Sequence, residues 1–333
     1  MKFIQSYTFT FFVSVMIPAS VNAEILRYDP RRMHQVPDMS PLQPIDINNF
    51  TPNHLQPGLD NDSNCCCLLS IIQCLHRLGF INALNIPLVL RRANGSPDYA
   101  TGILAKILCA LPSNGPFSVR TFIQSWNRSN LGIQLGQNED LFIVEGVIKK
   151  LQFRDQGGIP FLTTYKATFY CNTCQTQYRG LTEWDNPSFE TIPEIGVPNQ
   201  QNAVNPADLM TTLMTETFPV RCRVCQGQGT ASYEIVKGKT TMVRLNRLDF
   251  QNQQMFKIMT PLDVGPSNSP GSQFLGELVA VVCHISRPHQ HWLSYVKTDQ
   301  GWYLQDDSNP PFPSSPLNSN NRTETINLLC YKN

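Results

Sequence analysis

Two Cys-x-x-Cys pairs, Cys171/Cys174 and Cys222/Cys225, constrain the fold of this chain more than any other feature. Their spacing is that of two metal knuckles whose four thiolates close a tetrahedral zinc site. Nothing nearby suggests a further ligand or an open position, so the expected ion is a structural Zn2+. The segment between the pairs is longer than in common zinc ribbons, but the entropy of closing a loop grows only logarithmically with its length. In an oxidising compartment two disulfides could staple the same strands, and that alternative stands beside zinc. A redox-active pair fits least, because neither Cys-x-x-Cys opens a helix in a thioredoxin-like βαβ pattern.

The compartment matters because the chain has eleven cysteines, an odd number that in an oxidising space leaves one thiol over. Residues 1–23 carry Lys2, an apolar run from Phe9 to Ile17 and the small-residue stretch Ser20-Val21-Asn22-Ala23. This pattern predicts an export signal, with a disordered or membrane-dipping apolar tail as the alternative. No other run is long enough to cross a bilayer, so no membrane span is expected once the leader is removed. Residues 24–56, rich in Pro, Asp, Asn and Gln, read as a linker. A net charge of +1 over 333 residues gives no global attraction to nucleic acid or to an anionic membrane surface.

Beyond the linker the pattern predicts an α+β domain. Leu68, Ile71, Ile72, Leu75 and Leu78 recur at helical spacing, with Gly79 where a C-terminal cap belongs. Helical patterns also cover about 102–111, 119–126 and 139–151. The second half changes to β-branched and aromatic runs at about 161–170, 231–236, 241–248, 278–285, 292–297 and 302–305, which predict strands. Two segments dense in turn-forming residues, 184–208 and 261–272, read as irregular.

Cys66 stands in the triplet Cys65-Cys66-Cys67 at the start of the first helical pattern. The unpaired amides and positive dipole end of a helix stabilise a thiolate and offer hydrogen bonds to an oxyanion. The plain alternative is a buried cysteine-rich helix start with no chemistry. Far along the chain, folding a hairpin about Asp299 and Gln300 carries His291 opposite a residue just beyond Asp306, so imidazole and carboxylate can meet. A cysteine protease needs such a pair, since its base takes the thiol proton, hands it to the leaving amine and is held in one tautomer by a third group. His284 and His289 are rival bases.

The run from Gly58 to Leu75 resembles the Cys box of the ubiquitin-specific proteases, Gly-Leu-x-Asn-x-Gly-Asn-Thr-Cys-Tyr-(Leu/Met)-Asn-Ser-x-Leu-Gln-x-Leu. Gly58, Leu59, Asn61, Asn64, Leu68, Ser70, Gln73 and Leu75 match, while Ser63, Cys65, Cys67 and Leu69 depart. The segments His284 to Lys297 and Trp302 to Asp307 resemble the family's His box, with Ser286 and Gln290 in place of glycines and Trp292 in place of a tyrosine. Gly136 to Asp140 is similar to the family's Gln-Gln-Asp box, with Ile143 where a Glu is usual. Met242 to Phe250 is similar to the strand before the palm. These segments follow one another in the family's order from about Pro57 onward.

The resemblance implies a papain-like fold with a helical thumb at 57–152, zinc-knuckle fingers at 153–240 and a β-rich palm at 241–333. It implies Cys66 as nucleophile, His291 as base, Asp306 as the orienting carboxylate, Asn61 as oxyanion donor and Asp307 as the adjacent supporting acid. The partner it implies is ubiquitin or a ubiquitin conjugate, cleaved after the C-terminal glycine of ubiquitin. The alternative is a catalytically silent ubiquitin-binding protein of the same fold. Because ubiquitin is an intracellular modifier, an exported chain of this kind would be an effector acting in another cell; with an uncleaved leader it would be cytoplasmic or nuclear.

Overall fold

The computed structural model describes residues 59–61, 65–80, 117–128, 135, 161–179, 194–222, 224–251, 254–257, 260–285, 291–307, 309–316 and 324–333. The leader, the linker, the helical patterns at 102–111 and 139–151, the Gln-Gln-Asp-like box and the rival base His289 lie outside these residues. Among the described residues no helix is long and apolar enough to cross a membrane.

In chain order the elements are β1 (Leu59–Asp60), α1 (Cys66–Arg77), β2 (Phe117–Ser118), α2 (Arg120–Arg128), β3 (Thr164–Cys171), β4 (Gln177–Arg179), β5 (Glu194–Gly196), α3 (Pro206–Thr215), β6 (Phe218–Arg221), β7 (Gln228–Val236), β8 (Thr240–Asn246), β9 (Leu248–Gln251) and β10 (Gln254–Lys257). A 3-10 turn at Pro270–Phe274 leads into β11 (Glu277–Ile285), β12 (His291–Thr298), β13 (Gly301–Gln305), β14 (Phe312–Pro313) and β15 (Glu324–Lys332). A seven-stranded sheet runs in the order β14-β13-β12-β11-β15-β8-β5, and a separate four-stranded sheet in the order β4-β3-β7-β6.

The large sheet is apolar on both faces, which requires a cover on each. Met242, Ala280, Val282, Trp292, Val296, Leu328 and Cys330 join α1 and α2 in one core. Their sequence neighbours Val243, Val281, Cys283, Leu293, Tyr295, Leu329 and Tyr331 turn to the other face and pack with Met210 and Leu213 of α3 and Phe274 of the 3-10 turn. This is the period-two alternation of a pleated strand, with both sets apolar. Helix α1 is buried along nearly its whole length, from Cys67 to His76. It ends at Leu78, followed by Gly79 at φ 76°, a left-handed position where the absence of a Cβ removes the steric penalty.

Among the elements that go beyond the sequence pattern, β5, α3 and β15 matter most for the core. The segment 184–208, read as irregular, contributes the parallel edge strand β5 and the start of α3, whose Asn205 side chain caps it by accepting from the Ala207 N–H. Proline at the first helical position suits a helix start, so the Asn-Pro pair that reads as a turn signal also serves as a cap. Strand β15 forms the middle of the large sheet between β11 and β8. Its core run Ile326-Asn327-Leu328-Leu329-Cys330 carries no clean alternation because both faces are covered.

Candidate active site and cysteine cluster

The first site forms where the start of α1 meets the ends of β12 and β13. The hairpin pairs Thr298 with Gly301, Lys297 with Trp302 and Ser294 with Gln305. Continuing that register, Asp306 just past β13 falls two positions short of the point opposite His291 at the start of β12, a diagonal across which their side chains can meet. The His291 Nε2 atom lies 2.6 Å from Asp306 Oδ1. The Asn309 amide reaches Asp306 Oδ2 at 3.4 Å, and the Asn309 N–H donates to the Asp306 carbonyl, so the carboxylate is braced by the turn that follows it.

With Nε2 committed to Asp306, Nδ1 is the nitrogen left to meet Cys66, whose side chain stands near enough to influence the ring. The Asp306 bond, and after it the Cys66 side chain, raise the His291 pKa to about 10. The same bond lowers that of Asp306. At neutral pH the ring therefore carries a proton between a carboxylate and a sulfur.

Asn61 ties the rest together. Its Oδ1 accepts from the Cys65 N–H at 2.7 Å, and its Nδ2 donates to Asp307 Oδ2 at 2.9 Å. One residue pair away the Leu59 N–H donates to the Asp307 carbonyl at 2.9 Å. The segment before the helix is thus held to the residue beside Asp306 through both backbone and side chain. Asp307 adopts φ 46°, a strained value for a residue with a Cβ. Burial raises its pKa, and its Oδ2 stands 4.0 Å from His291 Nε2. His284 is placed differently: its ring lies against Trp292 with centroids 4.6 Å apart.

The second site is at one end of the four-stranded sheet. Cys171 ends β3, and Cys222 follows β6, each at the start of a turn into the next strand. The two turns repeat one geometry. In each, the N–H of the first cysteine donates to a carbonyl five residues on, Cys171 to Thr176 and Cys222 to Gly227. In each, the glutamine after the second cysteine has positive φ, 56° at Gln175 and 60° at Gln226. Backbone N–H groups point at the sulfurs, from Cys174 to Cys171 Sγ and from Val224 to Cys222 Sγ, both at 3.4 Å.

All four sulfurs lie within 4.8 Å of one another. The distances are 3.5 Å for Cys171 to Cys225 and 3.8 Å for Cys174 to Cys222. A tetrahedral ion with Zn–S bonds of about 2.3 Å sets its ligands about 3.8 Å apart, whereas a disulfide brings them to about 2.05 Å. The donor set therefore fits zinc, and Cys171, Cys174, Cys222 and Cys225 are the residues that would hold it.

Sequence reasoning had no access to the bracing of Asp306 by Asn309, although the Asp-Asp-Ser-Asn-Pro stretch is a turn signal. It also missed a buried bond between Ser294 Oγ and Gln73 Oε1 at 2.6 Å, which joins α1 to β12. Set against known proteins, the chain matches no family model and no curated sequence.

Proposed function

We propose that this chain is a cysteine-dependent deubiquitinating protease, hydrolysing the bond between the C-terminal glycine of ubiquitin and a lysine or peptide amine. The observation that carries the reading is the His291–Asp306 pair at 2.6 Å, held by one hairpin beside the helix start that bears Cys66. The choice of ubiquitin as substrate rests on the likeness of the two boxes around these residues to those of the ubiquitin-specific proteases.

In this reading the Cys66 thiolate attacks the glycine carbonyl while His291 holds the proton. The tetrahedral oxyanion is met by N–H donors at the α1 start and by the Asn61 amide, one of whose two Nδ2 protons is engaged by Asp307. Collapse of the intermediate breaks the C–N bond, and the imidazolium protonates the departing amine. Water then adds to the thioester with the neutral ring as base, releasing the glycine carboxylate and returning Cys66 and His291 to their starting state. Asp306 holds the ring throughout. Zinc, held by the four finger cysteines, would stabilise the sheet that carries them and would take no part in the chemistry.

The test uses ubiquitin bearing an electrophilic C-terminus against wild type, Cys65→Ser, Cys66→Ser and Cys67→Ser. Labelling is expected in all but Cys66→Ser. Labelling that survives in Cys66→Ser and fails in a neighbour would move the nucleophile. Failure of the wild type to label while it still binds ubiquitin would instead identify a silent binding protein.

A further inference from the structure

The nucleophile and its base lie far apart in the sequence, with the strands of the four-stranded sheet encoded between them. Their mutual position is set by how α1 lies on β12. Leu68, Ile72 and Leu75 of α1 share one apolar core with Trp292 and Val296 of β12, and such packing fixes separation well and sliding poorly, because dispersion and the hydrophobic effect have no direction. A directional contact is needed to fix the register.

The geometry points to Gln73 and Ser294 as the positioning pair that sets Cys66 against His291, an inference that rests on the catalytic reading above. Gln73 lies two helical turns beyond Cys66, on the same stripe of α1. Ser294 lies three residues beyond His291 and, like Trp292 and Val296 in alternation, faces α1. The Ser294 hydroxyl donates to Gln73 Oε1 at 2.6 Å. Ser294 is fully buried and Gln73 is 2% exposed, so water cannot substitute for either partner. The Gln73 Nε2 has no partner among the described residues, which leaves this single bond as the amide's anchor. A slide of one residue along α1 displaces the thiol by about 1.5 Å, and a misplacement of about 1 Å can cost on the order of a hundredfold in rate.

The experiment compares wild type with Ser294→Ala, Ser294→Thr, Gln73→Met and the Gln73→Met/Ser294→Ala double variant. Three quantities are measured: iodoacetamide alkylation of Cys66 followed by peptide mass spectrometry, kcat and KM on a ubiquitin amide, and Tm. Ser294→Ala is expected to slow both alkylation and kcat about tenfold with little change in KM. Ser294→Thr, which keeps the hydroxyl, is expected to recover most of the rate. The double variant is expected to be no slower than the slower single, because one bond is lost in each case. Should Ser294→Ala not fold, Ser294→Cys keeps the volume with a weaker donor and reports the same bond.

Variants that lower Tm while leaving alkylation and kcat untouched would overturn the positioning role, as would single effects that multiply in the double variant. If wild type does not act on ubiquitin but alkylation still follows this pattern, the substrate reading fails and the positioning role stands.

Discussion

Cysteines gather at two places in this fold, and the company they keep differs. At the head of α1, Cys66 is partly exposed and faces an imidazole backed by a carboxylate. At one end of the four-stranded sheet, four sulfurs face one another, supported by backbone N–H groups from symmetric turns. A thiol beside a base of different chemistry can exchange its proton and attack. Thiols that meet only their own kind, in tetrahedral spacing, suit a closed metal site. Elsewhere Cys74, Cys283 and Cys330 are buried in the core, where burial raises the Cys74 pKa and keeps it a thiol. Partner chemistry, more than the cysteine itself, separates the three groups.

The strongest way to break that comparison is to disturb the four-cysteine cluster and look for an effect at the other site. Structural zinc contributes on the order of 10 kcal/mol or more to small zinc-dependent folds. Chelation, or Cys222→Ser, is therefore expected to lower Tm by many degrees and to expose the four-stranded sheet to protease. Alkylation of Cys66 under folding conditions should stay near the wild-type rate, because α1 and β12 share no core cluster with Cys171 and Cys222. Zinc content by atomic absorption is expected to fall with Tm. A preparation without zinc that maps Cys171–Cys225 and Cys174–Cys222 disulfides would turn the second site into a staple.

A smaller effect is expected from the carboxylate. Asp306→Asn keeps the shape and removes the charge, and general acid–base contributions of this kind are worth about a hundredfold to ten-thousandfold in rate. The associated titration can be followed on the ring by NMR. In wild type His291 stays protonated until the pH approaches about 10. In Asp306→Asn the midpoint should fall toward the ordinary value near 6.5. The sign follows from linkage: a raised histidine pKa gives stability that is fully present below about 6.5 and lost as pH climbs through about 10. The lowered Asp306 value sets the acid limit, with its contribution lost as pH falls below the ordinary carboxylate range. The stability gap between variant and wild type should therefore be widest around pH 5 to 6 and close at high pH.

The two sites were not equally legible in the sequence. The four-cysteine cluster announces itself through Cys171, Cys174, Cys222 and Cys225, because two Cys-x-x-Cys pairs are a local spacing. The hairpin that sets His291 beside Asp306 was also readable, since the turn at Asp299 and Gln300 and the period of two determine the register. What could not be read were contacts between distant elements. Asn61 reaching Asp307, Gln73 reaching Ser294 and β15 inserting between β11 and β8 depend on how layers stack. No local pattern encodes that, and a glutamine inside an apolar helix stripe looks like an interruption until its partner is in view.

The finest test of the comparison is Asn61→Ala, because the Asn61 side chain joins the helix start to Asp307. Losing one oxyanion donor costs about a hundredfold to a thousandfold in kcat. The substitution also strips the Cys65 N–H of its acceptor and Asp307 Oδ2 of its donor. Asp307 Oδ1 is already buried without a partner among the described residues, so the variant is expected to lose some stability as well. Alkylation by iodoacetamide separates the two losses, since displacement of iodide develops no oxyanion. A large fall in kcat with alkylation nearly unchanged would assign Asn61 to the transition state. Equal falls in both would mean that Asn61 acts by holding the helix start in place, and the first site would then owe its reactivity to Cys66, His291 and Asp306 alone.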